Sequence, residues 1–148
     1  MRADDDSRWM TAWMRLVRTH TQLWDAVERQ MRRDHGLTMA RYDVLAQLDL
    51  AGGRLGLGEL ASAIALSPSG LSKLLDRMDA SGLIRREPHP HDARAALATI
   101  TPRGRQLVRS ARKCHHALLR RTFGTALDDR DVADLTRIME KLETTTWR

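Results

Sequence analysis

Ser67-Pro68-Ser69-Gly70-Leu71-Ser72-Lys73-Leu74-Leu75-Asp76-Arg77-Met78 decides the fold of this chain. Leu71, Leu74, Leu75 and Met78 fall at i, i+3, i+4 and i+7, so one face of a helix is apolar and turns inward. Ser69, Ser72, Lys73, Asp76 and Arg77 are left outward, and Ser67 stands where a helix cap is wanted. Upstream, Gly58-Glu59-Leu60-Ala61-Ser62-Ala63-Ile64 reads as a second short helix, joined to the first by only Ala65-Leu66. Downstream, Ser81-Gly82 stops the helix, and Leu83–Glu87 and Ala95–Ile100 read as strands around a tip, Pro88-His89-Pro90-His91-Asp92-Ala93-Arg94. Supporting helix, tight turn, recognition helix and two-stranded ribbon, in that order, make a winged helix-turn-helix. Such a helix fits the major groove of B-DNA, and a basic ribbon tip reaches the flanking minor groove or backbone.

Outward from this centre the chain is helical. A 3.6-residue stripe through Trp9, Trp13, Leu16, Val17, His20, Trp24, Val27 and Met31 predicts one long helix over residues 7–33, with Asp4 to Ser7 as caps and Gly36 as its stop. Thr38 caps a second helix to about Leu50, whose buried face is Tyr42, Val44, Leu45 and Leu48. The segment from Arg54 to Gly58 has the length of a brief strand beside the wing. Thr101-Pro102 opens a helix to about Phe123, striped by Gly104, Leu107, Val108, Ala111, Cys114, His115, Leu118 and Thr122. Asp128 caps a last helix striped by Val132, Leu135, Ile138, Met139 and Leu142. The class is mainly α with a small β-wing: a winged helix-turn-helix lobe at 37–100, and long N- and C-terminal helices at 7–36 and 101–148 forming a dimerisation region. The terminal helices carry more apolar stripe than one copy can bury, so pairing with a second copy is expected. Twofold symmetry then sets two recognition helices about 10 bp apart, on an inverted-repeat site in double-stranded DNA.

Composition agrees with this reading. With 148 residues, 42% hydrophobic and 30% charged, the chain is one domain over 1–148 with a core. Its formal net charge is +6, and lysine occurs only at Lys73, Lys113 and Lys141, so arginine carries the positive charge. Arginine's planar fork suits phosphate and guanine. No apolar run approaches the roughly 18 to 20 residues of a membrane helix. The N-terminal Met1-Arg2-Ala3-Asp4-Asp5-Asp6 is acidic where a signal peptide is basic, and a single cysteine fits a reducing compartment. These point to a cytoplasmic protein without a membrane partner. No phosphate-cradling glycine loop, metal-ligand spacing or nucleophile elbow argues for an enzyme, a cofactor or a metal.

The residues Gly36-Leu37-Thr38, Arg41-Tyr42-Asp43-Val44-Leu45, Glu59-Leu60-Ala61, the recognition-helix run and Gly82-Leu83-Ile84 resemble the MarR family of transcriptional regulators. Asp92-Ala93-Arg94, followed by Leu97, Ile100-Thr101 and Gly104, is similar to that family's wing signature. The resemblance runs from about Trp13 to Leu142. It implies an obligate homodimer, a winged helix-turn-helix on each subunit, and repression of nearby genes relieved by a small ligand. Two departures stand out: Ala65 replaces a glycine common in the inter-helix turn, and Gly58 replaces a serine or threonine cap.

The candidate site follows. Ser69, Ser72 and Lys73 are set to meet base edges, Arg77 to hold phosphate one turn on, and Ser67 to cap the helix beside a phosphate. Arg94 is read either as a minor-groove arginine or as the ion-pair partner of Asp92, which stabilises the wing; His89 and His91 sit at its tip. Trp13, His20, Trp24 and Tyr42 suit the wall of an aromatic effector pocket, against the alternative of plain core and dimer packing. By resemblance Asp43 and Arg86 occupy positions that some urate-responsive members use, the alternative being a structural ion pair. Arg103, Arg105, Arg109, Arg112, Lys113, Arg120 and Arg121 lie in a stretch without a carboxylate. The first few suit a basic rim. The later ones are expected to pair with Asp25, Glu28, Asp131 or Glu140. Cys114 reads as a buried inert thiol rather than a redox sensor, and Cys114-His115-His116 cannot converge on one metal because neighbours on a helix diverge. The rival readings are a winged-helix protein-interaction module without DNA binding and a cysteine-based redox regulator.

Overall fold

The computed structural model describes residues 3–64, 66–89 and 92–145, leaving aside the side chains of 3–5, 89 and 92–95. Ala65, the expected departure in the inter-helix turn, lies outside the described residues. Six helices and three strands follow in the order α1 (Ala3–His35), α2 (Met39–Leu50), β1 (Arg54–Gly56), α3 (Leu57–Ala63), α4 (Pro68–Ala80), β2 (Ile84–His89), β3 (Asp92–Ile100), α5 (Pro102–Ala126) and α6 (Asp129–Glu143). Contacts divide the chain into two compact units, Met1–Arg112 and Lys113–Arg148.

In the first unit, α1 begins at Ala3 rather than Ser7, so Asp4, Asp5 and Asp6 fall within its first turn instead of ahead of it. Negative charge there favours the helix, whose exposed N–H groups are the positive end of its dipole. Residues 6–22 are all exposed, and burial starts only at Val27 and Met31. Gly36 takes a φ of 63°, the left-handed conformation that ends a helix without a Cβ clash. Thr38 Oγ1 then accepts from the Arg41 N–H at 3.2 Å and caps α2. Tyr42, Val44, Leu45 and Leu48 are buried as the periodicity predicts.

On α4, Leu71, Leu75 and Met78 are buried and Leu74 is half-buried. With Leu60 of α3 and Ile84, Ala98 and Ile100 of the sheet they close one core. The α3 cap is not where the sequence suggested. Gly56, not Gly58, precedes the helix, and the Glu59 carboxylate reaches back to accept the Gly56 N–H at 2.9 Å.

The sheet is antiparallel in the order β1-β3-β2. Arg54, Leu55 and Gly56 face Thr99, Ala98 and Leu97, which confirms the brief strand beside the wing. Both wing strands run further than expected. Pro88 sits opposite Ala96 and His89 opposite Asp92, with an irregularity between Pro88 and His89. Proline is tolerated there because β2 is an edge strand and its missing N–H leaves no ladder bond broken toward a neighbour. Asp92, Ala93 and Arg94 therefore belong, by backbone, to β3 rather than to a tip loop.

Thr101 fastens α5 to the end of α4. Its hydroxyl donates to the carbonyls of Gly82 and Leu83, at 2.8 and 3.0 Å, and accepts the Gly104 N–H at 3.0 Å. The second unit holds the later part of α5 and α6. Asp128 accepts the Asp131 N–H at 2.8 Å while Asp131 accepts the Asp128 N–H at 3.2 Å, a reciprocal cap that starts α6. No residue of α6 is buried among those described, and Val132 and Ile138 are exposed.

Candidate nucleic-acid interface

The outward side of α4 has the residues the sequence assigned to it. Ser67 Oγ accepts the Gly70 N–H at 3.2 Å, with Pro68 at the first helical position, where its missing N–H costs nothing. Ser69, Lys73, Asp76 and Arg77 are exposed, and Ser72 is half-buried. Ser67 and Ser69 hydroxyls lie 3.4 Å apart, and the Arg77 Nε donates to the Lys73 carbonyl at 3.2 Å. The exposed face of α4 thus presents hydroxyls and an ammonium in its first half and a guanidinium in its last turn, which match phosphate and base-edge acceptors.

The wing braces this face. Arg86 of β2, expected either in an effector pocket or in an ion pair, makes an ion pair with Asp76 and also donates to Ser72 Oγ at 3.4 Å. This is the structural ion pair that the sequence offers as the alternative to a pocket role. Arg103 donates to the Ser81 carbonyl at 2.9 Å, and Thr99 donates to Glu87 at 3.4 Å. Arg103 therefore holds the turn after α4. His89, Asp92 and Arg94 are placed by backbone alone, their side chains lying outside the described residues, as does His91 altogether.

Of the other pocket candidates, His20 and Trp24 stack with ring centroids 5.9 Å apart. Trp13, His20 and Trp24 are exposed on α1, whereas Tyr42 is buried and Asp43 half-buried on α2. Burial raises the Tyr42 pKa, and the hydrogen bond and charge of Arg112 oppose it. Burial also raises Asp43, and the nearby Glu28 charge adds to that. A carboxyl raised above its unfolded value favours folding at low pH and loses that contribution as pH climbs through the folded-state value. Asp43→Asn should therefore flatten the dependence of thermal stability on pH just above the ordinary aspartate range; an unaltered pH profile would assign the dependence to other groups.

One cluster went unread in the sequence. Asp49, at the end of α2, has a side chain only 9% exposed and takes Arg105 at 3.0 Å and Arg112 at 3.1 Å. The sequence reading sets Arg105 on a basic rim and offers the later arginines other carboxylates; of these, Glu28 instead takes Arg32 at 2.6 Å and the Met39 N–H at 2.6 Å. Arg105 and Arg112 are two turns apart on α5, so both point the same way. That spacing was the available signal. Cys114 is half-buried and His115 beside it has its pKa lowered by burial, then by His116. Among the described residues no group of three or more His, Cys, Asp or Glu is gathered as a metal needs, and no helix is long and apolar enough to cross a membrane.

The sequence pattern of the MarR family matches residues 35–95, the stretch from the end of α1 into the wing. The chain is 30% identical to AbsC, a MarR family transcriptional regulator from Streptomyces coelicolor, over 92% of this chain and 95% of that one, with a TM-score of 0.83. It is 28% identical to Sco3205, a MarR family transcriptional regulator from the same organism whose structure is in complex with DNA, over 93% and 86% of the two chains, with a TM-score of 0.88. The HTH-type transcriptional regulator ML2140 of Mycobacterium leprae is 30% identical over 81 residues, which span 54% of this chain and 57% of that relative. The similarity to AbsC and to Sco3205 thus spans nearly the whole chain. The chain belongs to the MarR family of transcriptional regulators.

Proposed function

We propose that this protein is a dimeric, sequence-specific DNA-binding regulator that represses nearby genes until a small aromatic ligand releases it. The observation that carries the reading is the outward face of α4, where Ser69, Lys73 and Arg77 stand exposed on a capped helix braced from the wing. The lobe at 37–100 is the reading part and the helices at 7–36 and 101–148 the pairing part. Exposed Trp9, Trp13, Leu16 and Val17 on α1, and Val132 and Ile138 on α6, are apolar surface that a second copy would remove from water. The exposed His20–Trp24 stack on α1 supports an aromatic effector, to whose pocket the sequence also assigns Trp13, Tyr42, Asp43 and Arg86. Ser67, Ser72, His89, His91, Asp92 and Arg94 complete the interface as the sequence assigned it.

Selection from random DNA should return an inverted repeat with half-sites about 10 bp apart, bound by a species that sediments as a dimer. On that site Lys73→Ala should cost about 1 to 3 kcal/mol and relax one base position, while Arg94→Ala should weaken binding to many sequences and lower the salt slope. Unordered selected sequences, or a folded monomer at micromolar concentration, would count against the reading.

A further inference from the structure

We infer that Arg86 is a specificity-determining positioning residue, which fixes Ser72 as a hydrogen-bond donor toward one base pair of the half-site. The inference rests on the DNA-reading proposal above and deepens it. Asp76 and Ser72 are one turn apart on α4, and both face the wing strand that carries Arg86. Asp76 is an anomaly on a helix face meant for DNA: its side chain is 61% exposed, and a carboxylate there repels phosphate. The Arg86 guanidinium, only 27% exposed, answers it with opposite charge.

The same Arg86 nitrogen that meets Asp76 also donates to Ser72 Oγ at 3.4 Å. A serine hydroxyl has one proton to give and two lone pairs to receive with. With a lone pair facing Arg86, the Ser72 proton is directed away from the guanidinium. Free serine is permissive toward bases because it donates or accepts as the partner requires. Ser72 held by Arg86 is not permissive. It selects an acceptor on the major-groove edge, namely purine N7, guanine O6 or thymine O4, and disfavours the amino group of cytosine. Asp76 acts here through Arg86: it anchors the guanidinium, so the chain of effect runs Asp76, Arg86, Ser72, base.

The test measures binding of the full-length protein to its selected site and to versions changed at single base pairs, alongside scrambled DNA. Ser72→Ala and Arg86→Gln should each lose about tenfold of discrimination at the same base pair, and the double variant no more than either alone. Arg86→Lys keeps the charge and the attraction to Asp76, but its ammonium ends one bond short of the Arg86 Nη1 and falls short of Ser72, so it should fold and still relax that position. Arg86→Gln with Asp76→Asn keeps the net charge and should relax it too. Replacing the purine at that position by its 7-deaza analogue, which removes N7, should weaken the wild type but not Ser72→Ala where N7 is the acceptor. Losses at different base pairs, additive losses, or full discrimination in Arg86→Lys would overturn the role of Arg86. A wild type that binds selected and scrambled DNA equally would instead overturn the DNA-reading proposal, and this inference with it.

Discussion

Gly104→Ala should be the most damaging single methyl that can be added to this protein. A Cβ at Gly104 would lie 2.1 Å from the Leu83 carbonyl oxygen and 3.1 Å from the Ile100 side chain. The first of these is backbone, so no rotamer change relieves it. Nor is that carbonyl free to move, because it accepts both the Thr101 N–H at 3.1 Å and the Thr101 hydroxyl at 3.0 Å. Relief requires α5 to back away from the turn that ends α4, which breaks the Thr101 bonds and opens a gap beside Ile100. Overpacking typically costs about 1 to 3 kcal/mol, and a backbone clash with lost caps belongs at or beyond the upper end. Against a total stability of about 5 to 15 kcal/mol that is a large fraction. Urea unfolding checks it, with Gly124→Ala as the matched control in the same helix, since nothing lies within 4 Å of a Cβ there. The control should be neutral or gain up to about 1 kcal/mol from helix propensity. Equal midpoints for the two variants would show that the start of α5 yields at little cost.

Asp49→Ala comes next. The carboxylate holds two guanidiniums on α5, and its removal leaves both positive charges facing each other with no anion between them. Breaking a fully buried pair costs about 3 to 5 kcal/mol, but the two arginine side chains are 34% and 31% exposed and water compensates in part. A loss of about 2 kcal/mol is expected, measured as a shift in the unfolding midpoint. Removing the arginines as well, with Arg105→Met and Arg112→Met in the same chain, should recover much of it, because apolar groups of similar length need no partner. Failure to recover would show that Asp49 matters for something other than its charge. Asp49 also joins α2 to α5, so DNA binding should be followed in the same variants.

These two sites were unequally visible in the sequence. Gly104 sat in the apolar stripe and in the Thr-Pro-x-Gly start of α5, yet the stripe only says that the position is buried. That it must lack a side chain depends on how closely the Leu83 carbonyl approaches, which no local pattern contains. Asp49 is 56 and 63 residues from its partners. Periodicity placed Arg105 and Arg112 on one face but offered several carboxylates, and the distance between α2 and α5 in space selected one. Local physics read well where it was sufficient. Thr38, Ser67 and Asp128 are caps because a short side-chain acceptor three residues ahead of an N–H needs nothing from the rest of the fold. Tyr42, Val44, Leu45 and Leu48 were buried as one face of α2. The start of α3 was misplaced because glycine gave no side-chain signal, and the bond that fixes the start comes backward from Glu59. β2 was cut short at Pro88, although an edge strand tolerates proline.

The exposed indoles of α1 carry an optical consequence. Trp9, Trp13, Trp24 and Trp147 are the four tryptophans of the chain, and every one lies outside residues 37–100. Trp9 is 69% exposed and Trp13 60%, so their emission in a single copy is that of indole in water. Covering them shifts that emission to the blue, and residues 37–100, which hold Tyr42 but no tryptophan, contribute no indole of their own. If the terminal helices pair as proposed, a dilution series followed by intrinsic fluorescence should report it without a label, and a DNA titration followed at the same wavelength should report changes around these indoles.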